Sequence, residues 1–163
     1  MGPELHKSTT SRLPRHFVAT AYVVDGAKVL LVHHRKIGLW LPAGGHIEPD
    51  EDPAEAAIRE VKEETGLNVR LLGPVDAKGN GDRVRMLPTP HHLQIERIAE
   101  GPHEHIDFVY VGTPISGQLE RNPESIDVRW FTGDELDTAS HMDANVRHFA
   151  HQILEESRAP EGR

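Results

Sequence analysis

The stretch from Asp52 to Gly66 constrains this chain more than any other. Asp52 can cap a helix through its side-chain oxygen, Pro53 sits where the first helical turn needs no amide, and Glu55 stands three residues after the cap as its reciprocal partner. Gly66 after Thr65 offers the left-handed stop. The spacing predicts a helix between them, with Ala54, Ala57, Ile58 and Val61 as its buried stripe. On that helix Glu60, Glu63 and Glu64 fall within a wedge of about 100° beside the stripe. Like charges three and four residues apart repel, so the trio calls for a cation. Oxygen ligands of this kind suit Mg²⁺ or Mn²⁺ better than zinc. The plainer alternative is that Glu51, Glu55, Glu60, Glu63 and Glu64 form a solvated face paired with Arg59 and Lys62.

Strand-like runs surround the helix. Phe17–Val24 and Lys28–His34 are rich in β-branched residues and meet at Asp25-Gly26, a hairpin signal. The glycines and prolines from Gly38 to Gly45 read as a loop. Short apolar runs at Val69–Leu72, Leu93–Ile98, Phe108–Val111 and Ile126–Phe131 read as further strands. Thr132–Leu136 resembles a capped short helix, and Asp143–Ser157 aligns Val146, Phe149, Ala150, Ile153 and Leu154 on one stripe. Strands with helices before and after them predict an α/β fold layered helix–sheet–helix. With 163 residues, 37% of them hydrophobic, one core is expected, in a single domain over 15–158. Residues 1–14 lack apolar periodicity and read as a disordered leader, with a disordered tail over 159–163. The long segment Asp76–Pro90 is a candidate lid or specificity loop.

Eighteen basic against 26 acidic residues leave a net charge of −8, which opposes a nucleic-acid groove or an anionic membrane surface. A phosphate-bearing substrate would then need a metal cation to supply local positive charge. The absence of cysteine excludes disulfides, thiolate zinc sites and a cysteine nucleophile. No window reaches the roughly 18 apolar residues of a membrane helix, and a cytoplasmic protein is expected.

From Gly45 to Leu67 the chain reads glycine, five residues, glutamate, seven residues, Arg-Glu-Val, one residue, Glu-Glu, one residue, Gly-Leu. This resembles the Nudix box at every fixed position, and the order of strands and helices is similar to the Nudix fold across most of Phe17–Ser157. The resemblance implies an α/β/α sandwich around a mixed sheet. It also implies divalent-metal hydrolysis of a pyrophosphate bond in a nucleoside diphosphate linked to another moiety: a nucleoside triphosphate, an oxidised nucleotide, a nucleotide sugar or a dinucleotide. By position, Glu60, Glu63 and Glu64 look like the metal ligands, joined by the backbone carbonyl of Gly44. Gly45 and Gly66 are fixed positions of the box. Arg59 and Glu51 match the residues that pair to hold helix and loop in register, and Glu60 is the general base in some members. Asn122–Phe131, ending in Trp130-Phe131, resembles the stretch that often carries one more glutamate, which makes Glu124 a candidate ligand or base. Homodimers are common in the family, so a second copy is an expected partner.

Twelve histidines are the compositional oddity. In a strand His103, His105 and Asp107 would share a face, where they could act as ligands or substrate contacts; His105 and Asp107 are the candidate substrate residues. Aromatic residues are only 5%, so base stacking would fall to a few side chains such as Tyr22, Trp40 or Phe108. The window Asp82-Arg83-Val84 lacks the proline or tyrosine that marks the ADP-ribose and dinucleoside-polyphosphate subgroups. Two other readings stay open: a module that senses a nucleotide without cleaving it, and a histidine-based zinc protein.

Overall fold

The computed structural model describes residues 13–98 and 101–158. The expected leader, apart from residues 13 and 14, and the expected tail lie outside the described residues.

β1 (Arg15–Asp25) and β2 (Lys28–His34) form the expected hairpin, with Gly26 at φ +57° in the two-residue turn. The expected loop from Gly38 to Gly45 is instead largely paired: β3 (Trp40–Leu41) lies against β2 and β4 (Ala43–His46) against β1. Gly44 explains why glycines stand in a strand here. A Cβ on it would sit 2.7 Å from the Ala19 carbonyl oxygen and 2.9 Å from the Thr20 Cα.

α1 (Pro53–Thr65) carries the complete capping box between Asp52 and Glu55 and stops at Gly66, φ +76°. β5 (Leu67–Leu71), β6 (His92–Ile98), β7 (His103–Gly117) and β8 (Ser125–Phe131) follow. β7 is much longer than the expected Phe108–Val111. Its first half lies between β1, in parallel, and β6, and its second half pairs with β5. The sheet is therefore mixed and eight-stranded. α2 (Gly133–Thr138), capped by Thr132 and Glu135, and α3 (Ala144–Arg158) complete the chain.

Alternation along β1 and β2 creates two cores. Ala19, Ala21, Val23, Leu30 and Val32 pack with α1, while Tyr22, Val24, Val29 and Leu31 pack with α2 and α3. The layering is α/β/α, as expected. Trp40 belongs to the second core, 8% exposed, edge-on to Phe131 and stacked on His33.

The buried arc of α1 is rotated from the expected stripe. Ala54, Ala56, Ala57, Val61 and Thr65 are buried, whereas Ile58 is 37% exposed. At about 100° per residue, Glu60 and Glu64 project between Ala56 and Ala57, inside the covered arc rather than beside it. Packing thus places two of the three carboxylates where water is scarce. Among the described residues, no helix is long and apolar enough to cross a membrane.

Candidate active site

A cavity of about 820 Å³, within the usual size of a ligand pocket, opens on the α3 side of the sheet. Strand register dictates its floor. Val18 pairs with Asp107, Asp107 with Gln94, and His105 with Glu96, and residues opposite one another in a ladder share a face. Tyr22, Thr20 and Val109 continue that face, and Val146 of α3 closes over it. Gly44, Gly45 and His46 bring β4 to one side of the cavity, where Glu64 of α1 and Glu124, just before β8, also line it.

Arg59 organises the box. Its Nε and Nη2 donate to Glu51, Nη1 to Glu60 Oε1 at 2.8 Å and to Glu63 Oε2 at 3.2 Å, and Nη2 also to the His46 carbonyl at 3.1 Å. The forked guanidinium suits several acceptors at once. The pairing expected between Arg59 and Glu51 is present. Glu63, with 57% of its side chain exposed, stays at the rim. Among the described residues the carboxylates do not gather into one tight knot; Arg59 stands between Glu60 and Glu63 and donates to both.

Their electrostatics follow from burial. Glu64 is pushed up to about 8, first by desolvation, then by Glu60 and Glu124, against one hydrogen bond from the Gly44 amide. Desolvation also raises Glu60, although Arg59 opposes it. A carboxyl raised by burial and by like charges is one that a divalent cation returns to its ionised form. Glu60, Glu64 and Glu124 thus fit a hard cation with oxygen ligands. The Gly44 amide reaches Glu64, and Gly44 lines the cavity.

The far wall has a different chemistry. Asp107 is 2% exposed; its Oδ2 accepts from Thr20 Oγ1 at 2.9 Å and Gln94 Nε2 at 3.3 Å, while its buried Oδ1 has no partner. Desolvation and the nearby Glu96 push Asp107 up to about 7, opposed by those two hydrogen bonds. Burial and the neighbouring His46, His103 and His16 push His105 down to about 4. Tyr22 lines the cavity with its hydroxyl pKa raised by burial, but Trp40 does not line it, being held in the second core. The stacking contact expected of Trp40 therefore has no support from its position. Sequence reading missed Thr20, Gln94 and Glu96. The alternation of Gln94, Glu96 and Ile98 was the signal available for the last two, since it matches that of His103, His105 and Asp107.

The profile of the NUDIX domain matches residues 14–153. The chain belongs to the Nudix hydrolase family. A crystal structure of a NUDIX-family hydrolase from Clostridium perfringens is 37% identical, covers 90% of this chain and 100% of its own, and superposes with a TM-score of 0.79. A Bacillus subtilis protein named for 8-oxo-dGTP diphosphatase activity is 43% identical over 51 residues, 31% of this chain and 34% of its own. An m7GpppN-mRNA hydrolase of Danio rerio is 35% identical over 77 residues, 43% of this chain and 26% of its own. The matches thus span about a third or less of those two curated relatives. α1 is the Nudix helix, and the family generally uses divalent metal ions.

Proposed function

We propose that this Nudix pyrophosphohydrolase works with Mg²⁺ or Mn²⁺ held by Glu60, Glu64 and the Gly44 carbonyl, with Glu63 at the rim. Its substrate is a nucleoside triphosphate, or a related diphosphate derivative, whose purine ring presents N–H donors. The observation that carries the reading is that carboxylates of opposite purpose line one cavity: Glu64 and Glu124 on the box side, and Asp107 with an unpaired buried oxygen on the other.

A bound divalent ion supplies counter-charge to the phosphates and acidifies an attacking water. Arg59 holds Glu60 in place for that set, and Gly44 and Gly45 bring the backbone of β4 to the edge of the cavity. Glu124 accepts the proton of the attacking water, because Glu60 is already committed to Arg59. At the far wall Asp107 accepts from ring donors through Oδ1. The two curated relatives named above carry guanine in the substrate of their names, and a guanine edge offers adjacent N–H and NH₂ donors that suit a carboxylate. The net charge of −8 supports a small nucleotide rather than a capped RNA.

The test is hydrolysis with Mg²⁺ or Mn²⁺ over guanine, oxidised-guanine, 7-methylguanine, adenine and pyrimidine nucleotides, with Glu64→Gln as control. Metal-dependent cleavage favouring guanine-type rings, reduced by about 10²–10⁴-fold in Glu64→Gln, is expected. Full activity in that variant would overturn the carboxylate assignment. Nucleotide-induced thermal stabilisation without any cleavage would favour the sensing module, and indifference to the base would remove Asp107 from recognition.

A further inference from the structure

Beyond the carboxylate set, one cluster of ligand-type side chains is left unused by the hydrolytic reading. His16 and His105 are register partners in the parallel β1–β7 ladder, and His46 is the partner of Val18, two residues further along β1. Since partners share a face and residues two apart return to it, all three imidazoles must emerge on the same side of the sheet. One ring nitrogen from each lies within 4.8 Å of the other two. His46 Nε2 stands 3.4 Å from His16 Nδ1, and the His46 and His105 rings meet edge-on with centroids 5.0 Å apart.

Two further observations point to a ligand. The Nε2 atom of His105 is buried with no hydrogen-bond partner, a state that normally carries a cost unless something fills it. Arg59, which fixes the box, also donates to the His46 carbonyl, so the third imidazole is anchored through its backbone. The cluster is badly suited to binding a phosphate by charge. Rings this close, with His103 stacked on His16 at 4.8 Å, cannot all be cations together. Neutral imidazoles converging on one point are instead the ligands that borderline transition metals prefer.

We propose that His16, His46 and His105 bind one divalent transition-metal ion of the zinc class, at a site separate from the carboxylate set. Three protein ligands leave a position open toward the cavity, where His46 and His105 lie on the lining. An oxygen of a bound phosphate or a water takes that position. The site also ties β1, β4 and β7 together at the mouth of the cavity. The neighbouring Glu96 and Glu104 face the same strands, but among the described residues no carboxylate joins the three-nitrogen set.

The experiment uses the untagged full chain, stripped of metal, titrated with Zn²⁺ by calorimetry and with Co²⁺ by its visible ligand-field absorption, both in excess Mg²⁺. One equivalent of Zn²⁺ is expected, with Co²⁺ bands of low-symmetry nitrogen coordination. His105→Ala and His46→Gln should each weaken binding roughly 100-fold or more, because losing even an outer partner of a ligating histidine costs 10–100-fold. Glu64→Gln and His103→Ala should bind as the parent does. His46 is exposed, so its variant keeps the test valid if His105→Ala does not fold. Zn²⁺ should raise the melting temperature of the parent and leave that of His46→Gln unmoved. Absence of stoichiometric Zn²⁺ binding overturns the proposal, as does binding that survives both histidine variants and disappears in Glu64→Gln.

Discussion

Gly45 stands directly against the carboxylate of Glu60, so that a single methyl group on its Cα would overlap Glu60 Oε1 and lie 2.6 Å from Cδ. The obstacle is the end of a flexible side chain, which can swing away, and the cost falls on the site rather than on the fold. Gly45→Ala should therefore melt within a few degrees of the parent and lose on the order of 10²-fold in kcat, the usual result of a displacement of about 1 Å. Gly44→Ala meets backbone instead, at the Ala19 oxygen and the Thr20 Cα, and should destabilise by roughly 1–3 kcal/mol. Thermal melts and steady-state hydrolysis on the two variants separate these outcomes. Equal stability losses would show that the two glycines are merely structural.

Arg59 cannot be replaced by lysine without loss, because one ammonium cannot reach Glu51, Glu60, Glu63 and the His46 carbonyl together. Arg59→Lys is expected to cost about 1–3 kcal/mol, from acceptors left unsatisfied in a half-buried place, and to lower turnover as Glu60 loses its orientation. A pH dependence accompanies it. The hydrogen bonds from Arg59 hold Glu51 below its ordinary 4.5, so its contribution is present above that value and lost as pH falls through the lower folded-state value. Denaturant melts of the parent and of Glu51→Gln at descending pH should converge in acid, and a constant gap would remove this pair from the acid sensitivity.

Much of this was legible locally. The N-cap Asp52, its partner Glu55 and the stop at Gly66 act within a few residues of one another, so the ends of α1 could be read directly. The hairpin turn at Gly26 and the Thr132 cap were legible for the same reason. What escaped depends on distant neighbours. Gly44 and Gly45 look like loop residues until the close approach of Thr20 and Glu60 shows why a strand there excludes side chains. Ile58 fits the helical stripe, yet the trough against the sheet is turned toward Ala56. Trp40 suits a stacking platform by type, but its pairing in β3 carries it into the core behind Phe131. His16 and His46 meet His105 only through strand register, which no local pattern encodes.

The segment from Asp76 to Pro90 is joined to the N-cap of α1 by an ion pair, Arg85 Nη2 to Asp52 Oδ2 at 2.7 Å. The N-cap bonds use the other oxygen, Oδ1, so the cap does not need Arg85. Arg85→Ala should leave the melting temperature unchanged and speed tryptic cleavage at Lys78 and Arg83. Asp52→Ala loses both roles and should also cost about 0.5–2 kcal/mol through the cap. Unchanged proteolysis in Arg85→Ala would show that the segment is held by its own turn, including the Gly81–Val84 bridge, rather than by the helix.

Asp107 gives the sharpest pH prediction, because burial and Glu96 lift it from 3.8 to about 7. The sign follows from proton binding. Between those values the folded state holds a proton that the unfolded chain has released, so stability attributable to Asp107 is intact below 3.8 and declines as pH rises to about 7, beyond which it is constant. Asp107→Asn removes the titration. Its side-chain oxygen can still accept from Thr20 and Gln94, while its amide nitrogen takes the place of the unpartnered Oδ1 and adds a cost of about 1–3 kcal/mol at every pH. The absolute difference between parent and variant is thus ambiguous, but its change with pH is not. From pH 5 to pH 8 the variant should gain on the parent by an amount of the order of a few kcal/mol. Urea melts at both values measure this directly, and a gap that does not move with pH would mean that Asp107 is ionised throughout. Nucleotide binding supplies an independent reading of the same atom: a ring donor that bonds Oδ1 favours the carboxylate, so a bound guanine nucleotide should shift the titration to lower pH.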